Sequence, residues 1–395
     1  MTRRLTTTER RARLGRRHHL APHERAGDVV EAAGSLVGLH SSDPATVYLS
    51  AWARVAGFSI GDLETALYQD KALVRVLGMR RTIFVVPTGM APLLHSGCAH
   101  PMYDAERNRL ATMLEDAAIT DDGQDWIGDV AEKAYTSLGN RAQAPATELR
   151  KTVPELALQI PYGEGKKWGG TVGVSTRILF LLATEGRILR TRPLGSWLSG
   201  QYRWATVESW LGSGHQPLDL GTARLELIRL WLRSYGPGTE TDIKWWTGFP
   251  VTQVRKALAE LGAVEVTLDD GAAGYLLPDD LATEPDAEPW AAFLPGLDPT
   301  TMGWKERHWY LGDHAKELFD SNGNAGLTVW WEGRVVGGWA QTAAGAVAYR
   351  LLDDLGSDAK TEIDRQAGEL EAWLGGAVVT PRFRNPLERE LSGGG

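Results

Sequence analysis

A histidine and a serine stand two residues apart at the start of a predicted helix. Residues 38–47 read GLHSSDPATV, in which Asp43 and Pro44 are typical of an N-cap and a first helical turn. The unpaired N–H groups and positive dipole end of a helix favour an anion or an anionic nucleophile nearby. His40 and Ser42 are therefore a candidate pair for holding a water, while Asp43 caps the helix, orients His40, or both. The alternative is a core histidine followed by ordinary capping residues.

The elements around this pair predict a small helical domain with a hairpin. A helix over 27–39 has apolar residues at helical spacing, so His40 is expected to continue its apolar face. Two further helices, 44–55 and 61–69, and two strands, 73–79 and 82–87, follow. Three helices and a β-hairpin in this order are typical of a winged helix-turn-helix.

The same order of elements occurs twice more along the chain. The second set comprises helices 127–135, 146–151 and 172–182 and strands 186–190 and 201–204, and the third comprises helices 222–234, 239–246 and 251–261 and strands 263–266 and 274–277. After residue 290 the pattern changes to strands 327–331, 334–340 and 346–352, a helix 357–374 and a last strand 378–383.

These elements predict an α+β protein with tandem winged helices. Three winged-helix units precede a C-terminal antiparallel, β-rich, barrel-like domain. The expected boundaries are a basic N-terminal arm 1–22, winged-helix units 23–125, 126–218 and 219–288, a β-rich domain 289–390 and a disordered tail 391–395.

Composition excludes several classes of protein. The net charge of −8 over 395 residues argues against nonspecific coating of nucleic acid by the whole surface. Seven arginines crowd residues 1–22, which form either a local basic face or a disordered, solvated tail. A single cysteine, Cys98, excludes a disulfide framework, a multi-cysteine zinc site and an iron–sulfur cluster.

Motif searches predict no metal, cofactor or membrane. No HExxH motif occurs, and histidine spacing is metal-like only in the arm. No apolar segment approaches bilayer length and no signal peptide is recognised, so a cytoplasmic, nucleoid-associated location is expected.

The second winged-helix unit carries basic residues that suit DNA. A glycine-rich approach containing Lys166 and Lys167 leads into the helix that bears Arg177, a pattern that fits contact with backbone phosphates. A phosphate-binding loop is disfavoured because the GxxxxGK[ST] pattern is missing.

Four segments together resemble a known family. In chain order they read GLHSSDPATVYLSAWARV, VRVLGMRRTIFVVP, LPGLDPTTMGWKER and GRVVGGW. Their order and spacing are similar to those of the AlkZ/YcaQ-type bacterial winged-helix DNA glycosylases, over nearly the whole chain after the arm. The resemblance implies a C-shaped clamp with the catalytic motif on its concave side, and a monomer that acts on double-stranded DNA carrying alkylated guanine.

The catalytic motif departs from that of the family. Where the family has Gln-x-Gln or Gln-x-Asp before Asp-Pro, this chain has His40 and Ser42. The resemblance implies that His40 activates a water and Ser42 positions it for hydrolysis of the glycosidic bond of an N7-alkylguanine. No lysine lies in the motif to form a Schiff base, so a monofunctional glycosylase is expected.

A serine in place of a glutamine leaves space for a bulkier lesion. Some family members protect antibiotic producers from their own DNA-alkylating products. The preferred substrate is therefore a bulky or intercalated guanine adduct. Its excision is expected to serve base excision repair and self-resistance to a DNA-alkylating natural product.

Two further groups are candidate DNA contacts. Arg80 and Arg81 contact phosphates flanking the lesion, or they are solvated surface charge. Trp304, Lys305 and Arg307 form a DNA-probing edge in the C-terminal domain, although core packing is favoured for the tryptophan.

Two rival functions make different predictions. A non-catalytic winged-helix DNA-binding protein, such as a regulator or damage sensor, binds DNA in a salt-sensitive way and releases no base. A protein-interaction scaffold shows no DNA affinity even at low salt.

Overall fold

The computed structural model describes residues 3–163, 169–214, 216–285 and 288–393. Within these ranges helices and β-sheets are both present, which confirms the predicted α+β class. The helices are α1 (Thr7–Arg17), α2 (Val29–Ser35), α3 (Pro44–Trp52), α4 (Ile60–Tyr68), α5 (Ala91–Leu94), α6 (Tyr103–Asp116), α7 (Gly123–Gly139), α8 (Ala146–Thr152), α9 (Val174–Thr184), α10 (Val207–Leu211), α11 (Leu220–Tyr235), α12 (Glu240–Thr247), α13 (Val251–Glu260), α14 (His308–Leu311), α15 (Ala315–Leu318), α16 (Ser357–Leu374) and α17 (Pro386–Leu391).

The strands are short, and most of them pair antiparallel. They are β1 (Arg4–Leu5), β2 (Leu39–His40), β3 (Leu73–Leu77), β4 (Ile83–Pro87), β5 (Ala144–Pro145), β6 (Gln159–Tyr162), β7 (Gly170–Gly173), β8 (Ile188–Pro193), β9 (Tyr202–Thr206), β10 (Val264–Leu268), β11 (Ala273–Leu276), β12 (Ala291–Leu294), β13 (Thr328–Trp331), β14 (Arg334–Gln341) and β15 (Val347–Leu351).

The chain divides into two compact bodies. Body 1 consists of Met1–Ala66, Phe84–Pro87 and Leu225–Gly395, and body 2 consists of Leu67–Ile83 and Thr88–Arg224. Each body therefore combines segments that are far apart in the sequence.

Body 1 contains the β-rich C-terminal region. Strands β12, β13, β14 and β15 form an antiparallel meander, and helices α16 and α17 pack on it. Its core holds fully buried Trp330 and Trp339, which anchor the packing. A second sheet in the same body pairs β1 parallel to β10 and β10 antiparallel to β11.

Body 2 has a helical core beside a small sheet. Helix α7 is capped by Asp122, which accepts from the backbone N–H of Asp125 at 3.0 Å. Helix α9 is buried on most sides through residues such as Ile178 and Leu182. Strands β3, β8, β9 and β5 are neighbours in one sheet, and β6 and β7 form a separate hairpin.

The elements predicted for the second and third winged-helix units are present. Helices α7, α8 and α9 precede the antiparallel pair β8–β9, and helices α11, α12 and α13 precede β10–β11. The tandem winged-helix arrangement and the clamp stay predictions.

The N-terminal arm is folded, so the interpretation as a disordered tail is wrong. Residues Thr7–Arg17 form helix α1, with Thr6 as its N-cap. Arg13 lies 3.1 Å from Asp280, and Arg17 lies 2.7 Å from the same carboxylate. The guanidinium of Arg10 lies 4.1 Å from the centre of the Trp309 ring, and burial lowers the pKa of Arg10 to about 10. Much of the arm's charge is therefore neutralised within body 1.

The C-terminal end also differs from the prediction. Residues 378–383, expected as a last strand, form an irregular segment before α17. Of the predicted tail 391–395, Leu391 ends α17, and residues 394–395 lie outside the described part of the chain.

No helix in the described ranges is both long and apolar enough to cross a lipid bilayer.

Candidate functional site

His40 lies in a short strand, and its predicted place on a helical face is wrong. Helix α2 ends at Ser35, and Val37 and Gly38 follow with φ values of 55° and 115°. A Cβ on Gly38 would lie 2.8 Å from Val86 Cγ1, so this turn requires glycine. The chain then enters β2, where His40 pairs with Phe84 of β4.

The imidazole of His40 is buried against Phe84 and faces the backbone of Ser42. His40 is 7% exposed, and its ring centre lies 5.3 Å from that of Phe84 in an edge-to-face arrangement. The backbone N–H of Ser42 points at His40 Nδ1 over 3.4 Å, a long contact. A backbone N–H can only donate, so this contact requires an unprotonated Nδ1, which is the tautomer with its proton on Nε2.

Asp43 fixes the first turn of α3. Its Oδ1 accepts from the Ala45 N–H at 3.2 Å, and its Oδ2 accepts from the Arg382 backbone N–H at 2.8 Å. The guanidinium of Arg382 also donates to the Ser42 carbonyl at 3.4 Å. Sequence reasoning missed Arg382, which is 339 residues from Asp43 in a segment predicted as a strand. Asp43 is therefore an N-cap that also ties the C-terminal segment to the motif.

The far end of α3 is anchored by a buried ion pair. Arg54 and Asp298 are both fully buried, and two guanidinium nitrogens lie 2.6 and 2.9 Å from the two carboxylate oxygens. Ser50 donates to the same carboxylate at 2.7 Å. The LPGLDPTT segment therefore holds the helix that begins at the motif.

A second histidine extends this network. Thr300 Oγ1 accepts from Arg54 at 2.7 Å, so its own proton is directed to His18 Nδ1 at 2.8 Å. His18 Nε2 then donates to the Ser234 carbonyl at 3.3 Å. Burial, together with the nearby Arg54 charge, holds the pKa of His18 well below its usual value, so this ring is neutral.

Replacing Asp43 by alanine should lower both stability and base release. The N-cap is lost and the Arg382 N–H loses its acceptor, so we expect the free energy of unfolding to fall by about 1–2 kcal/mol. Urea denaturation and base-release assays measure the two effects. Asp28→Ala is the control, since Asp28 caps α2 through bonds to Val30 and Glu31. A normal release rate in Asp43→Ala would contradict a role for this cap in the motif.

Arg80 and Arg81 lie at an exposed turn in body 2. Both have left-handed backbones, with φ values of 53° and 63°, which is uncommon for residues other than glycine. The turn is closed by the Gly78 N–H, which donates to the Thr82 carbonyl at 2.8 Å. Arg81 also forms a 2.6 Å ion pair with Glu106. The side chains are thus presented on the surface, as a phosphate contact requires.

Arg177 is half-buried close to other arginines. Burial is the main cause that lowers its pKa, and the charges of Arg109 and Arg81 lower it further. Arg81 and Arg177, predicted from separate segments, line one cavity of body 2. Lys166 and Lys167 lie outside the described residues.

Trp304 is buried, so its ring does not form part of the predicted DNA-probing edge. Its ring is 2% exposed, and its Nε1 donates to the Tyr235 carbonyl at 3.1 Å. Arg307 is half-buried, with its guanidinium 4.7 Å from the centre of the Phe319 ring. Lys305 alone of the three is exposed. The packing interpretation favoured for the tryptophan is the one that the structure supports.

A metal centre is not found in the described ranges. No group of three or more His, Cys, Asp or Glu side chains there is arranged to hold an ion.

Comparison with known proteins defines the class. A model of the family described as DNA glycosylase AlkZ-like matches residues 33–373. The protein is therefore a DNA glycosylase, an enzyme that acts on DNA. The chain belongs to the AlkZ-like family.

The fold agrees with a solved member. The chain superposes on Streptomyces sahachiroi DNA glycosylase AlkZ with a TM-score of 0.74 and 17% sequence identity, covering 96% of this chain and 99% of that one. A search of curated proteins found no significant match.

Proposed function

We propose that this enzyme hydrolyses the N-glycosidic bond of N7-alkylguanine in duplex DNA, with a water held between His40 and Ser42. The proposal rests on which nitrogen of the His40 ring faces Ser42. Nδ1 lies 3.4 Å from the Ser42 nitrogen, a contact that requires this ring nitrogen to be unprotonated. A water between this nitrogen and the half-buried Ser42 hydroxyl can donate a proton to Nδ1. The hydroxyl forms a second hydrogen bond that orients the water.

The chemistry requires little more than this placement. An N7-alkylated guanine carries a positive charge that already weakens the glycosidic bond. The enzyme then has to place water at C1′ and stabilise an oxocarbenium-like transition state. The long Ser42 contact is weak enough to yield Nδ1 to the water, and the N-terminal end of α3 favours the hydroxide that forms.

Asp43 and Arg382 hold the pair in place. The two oxygens of Asp43 are already engaged by backbone N–H groups, so we assign this carboxylate to positioning and to local negative charge. His40 is therefore the group that we assign to accept the proton of the water. This division of roles fits a motif in which neither family glutamine is kept.

The preferred lesion is a bulky or intercalated guanine adduct. Serine is smaller than the glutamine or aspartate that the family has at this position, which leaves room beside the reacting bond. We propose that the enzyme acts as a monomer in base excision repair and gives self-resistance to a DNA-alkylating natural product.

The reaction should stop at base release. Residues 29–47 contain no lysine, so the motif offers no amine to form a Schiff base with the sugar. We expect an oligonucleotide with a single lesion to stay intact after incubation and to break only after alkali treatment. Strand breaks without alkali, on a denaturing gel, would contradict the monofunctional mechanism.

Removing the two exposed arginines should weaken DNA binding. Each lost phosphate contact reduces the slope of log K against log salt by about one, so Arg80→Ala with Arg81→Ala should reduce it by up to about two. Fluorescence anisotropy at several salt concentrations measures this slope. The control removes two exposed, acid-paired arginines of body 1, Arg350 and Arg365. An equal reduction of this slope in the control would mean that DNA binding depends only on net charge.

A further inference from the structure

Body 2 encloses a cavity that the proposed chemistry does not use. Its volume is about 470 Å³, within the range of small-molecule sites. Helices α8 and α9 and strands β3, β8 and β9 supply most of its wall. Among its described lining residues there is no carboxylate, while five are arginines: Arg75, Arg81, Arg150, Arg177 and Arg190.

One guanidinium of this cavity, that of Arg177, has an unsatisfied donor within the described part of the chain. Glu106 forms an ion pair with Arg81, and it also attracts Arg177. Arg177 Nε is buried with no hydrogen-bond partner among the described residues. Leaving a buried donor unsatisfied is costly, and burial already lowers the pKa of this guanidinium. The cavity is therefore complementary to an anion.

One end of the cavity has the features of a phosphate site. The first turn of α9 lines it through Ser175, Thr176 and Arg177, and Gly173 caps this helix without a side-chain bond. Arg150 binds Ser175 Oγ through Nε and Nη2, at 3.1 and 2.7 Å, which fixes its guanidinium beside the helix start. A helix N-terminus flanked by two arginines is a favourable place for phosphate.

Planar groups line another part of the wall. The Arg190 guanidinium lies 5.5 Å from the Tyr202 ring centre and 5.2 Å from that of Trp204. Arg75 lies 5.1 Å from the Tyr202 centre. Guanidinium planes and aromatic rings both stack on nucleobases. This part of the cavity therefore presents planar side chains of the kind that stack on a base.

We propose that body 2 carries a second binding site, for a nucleotide. The phosphate binds between Arg150, Arg177 and the start of α9, and the base lies among Arg190, Tyr202 and Trp204. The same chemistry is offered by a free mononucleotide and by an unpaired nucleotide of DNA. The site is independent of His40, and binding tests it without base release, so its failure is separate from a failure of the proposed glycosylase reaction.

Isothermal titration calorimetry of the full chain tests the site. The probes are dGMP, guanosine, inorganic phosphate and a short single-stranded oligonucleotide. We expect one dGMP per chain, with guanosine and phosphate each at least about tenfold weaker, which is about 1.4 kcal/mol. Arg177→Gln should weaken dGMP binding by at least about tenfold, and Trp204→Leu should weaken dGMP but not phosphate.

Controls separate binding from folding and charge. Arg255→Gln removes an exposed arginine paired with Glu240 and should leave dGMP affinity unchanged. Circular dichroism melting of each variant shows whether it is folded. If only the oligonucleotide binds, with the same sensitivity to Arg177→Gln, the site takes an unpaired nucleotide of DNA. Phosphate binding as tight as dGMP, or nucleotide affinity unaltered in folded Arg177→Gln, would overturn the proposal.

Discussion

Replacing His40 by alanine is expected to lower the rate of base release by about 10²–10⁴-fold, the usual contribution of a general acid–base group. Affinity for the lesion-bearing duplex should stay nearly unchanged. The reason is that His40 supplies the proton acceptor beside Ser42, whereas affinity for DNA comes mainly from phosphate contacts. Single-turnover base release and fluorescence anisotropy measure the two quantities on the same duplex.

Two further variants make this test specific. His40→Gln restores the family's residue, and its amide can hold a water without accepting the proton, so part of the activity should return relative to alanine. His308→Ala removes an exposed histidine of the same body and should have no effect. Equal losses of binding and release in His40→Ala would instead indicate a structural histidine that packs on Phe84.

The second large effect is expected from Asp298→Ala. This change leaves the Arg54 guanidinium charged and fully buried without its carboxylate. Removing one partner of a buried ion pair typically costs about 3–5 kcal/mol of unfolding free energy. Base release should fall with stability, because Asp298 anchors the helix that starts at the catalytic motif. Urea denaturation measures the free energy of unfolding, and a separate assay measures the rate of base release.

A double variant distinguishes charge from shape. Arg54→Met combined with Asp298→Leu removes both charges and keeps apolar volume, so it should be less destabilising than Asp298→Ala alone. A loss below about 1 kcal/mol in the single variant would be too small for an isolated buried charge and would contradict this description of the network.

Local sequence patterns predicted much of the secondary structure. Helix α16 has the predicted bounds, and the elements of the second and third winged-helix units are found at nearly the predicted positions. These segments have regular apolar spacing and clear turn residues, which are local signals. The N-cap role of Asp43 was also predicted, since Asp-Pro marks a helix start.

Long-range partners could not be predicted from the same patterns. The Asp280 carboxylate, which binds Arg13, is 267 residues away from it, and the N–H that binds Asp43 Oδ2 is 339 residues away. No local rule connects such pairs. His40 was placed on a helix because its spacing fits one, and only Gly38 signalled that the chain leaves the helix before it.

The central claim is that a His-x-Ser motif releases a bulky guanine adduct. The most direct measurement is mass spectrometry of modified guanine released from two duplexes, one with N7-methylguanine and one with a bulky intercalated N7-guanine adduct, using wild type and His40→Ala in parallel. We predict release of the bulky base by wild type, with little from the methylated duplex and release at least about a hundredfold slower by the variant. Intact binding with no release from either duplex would contradict the claim.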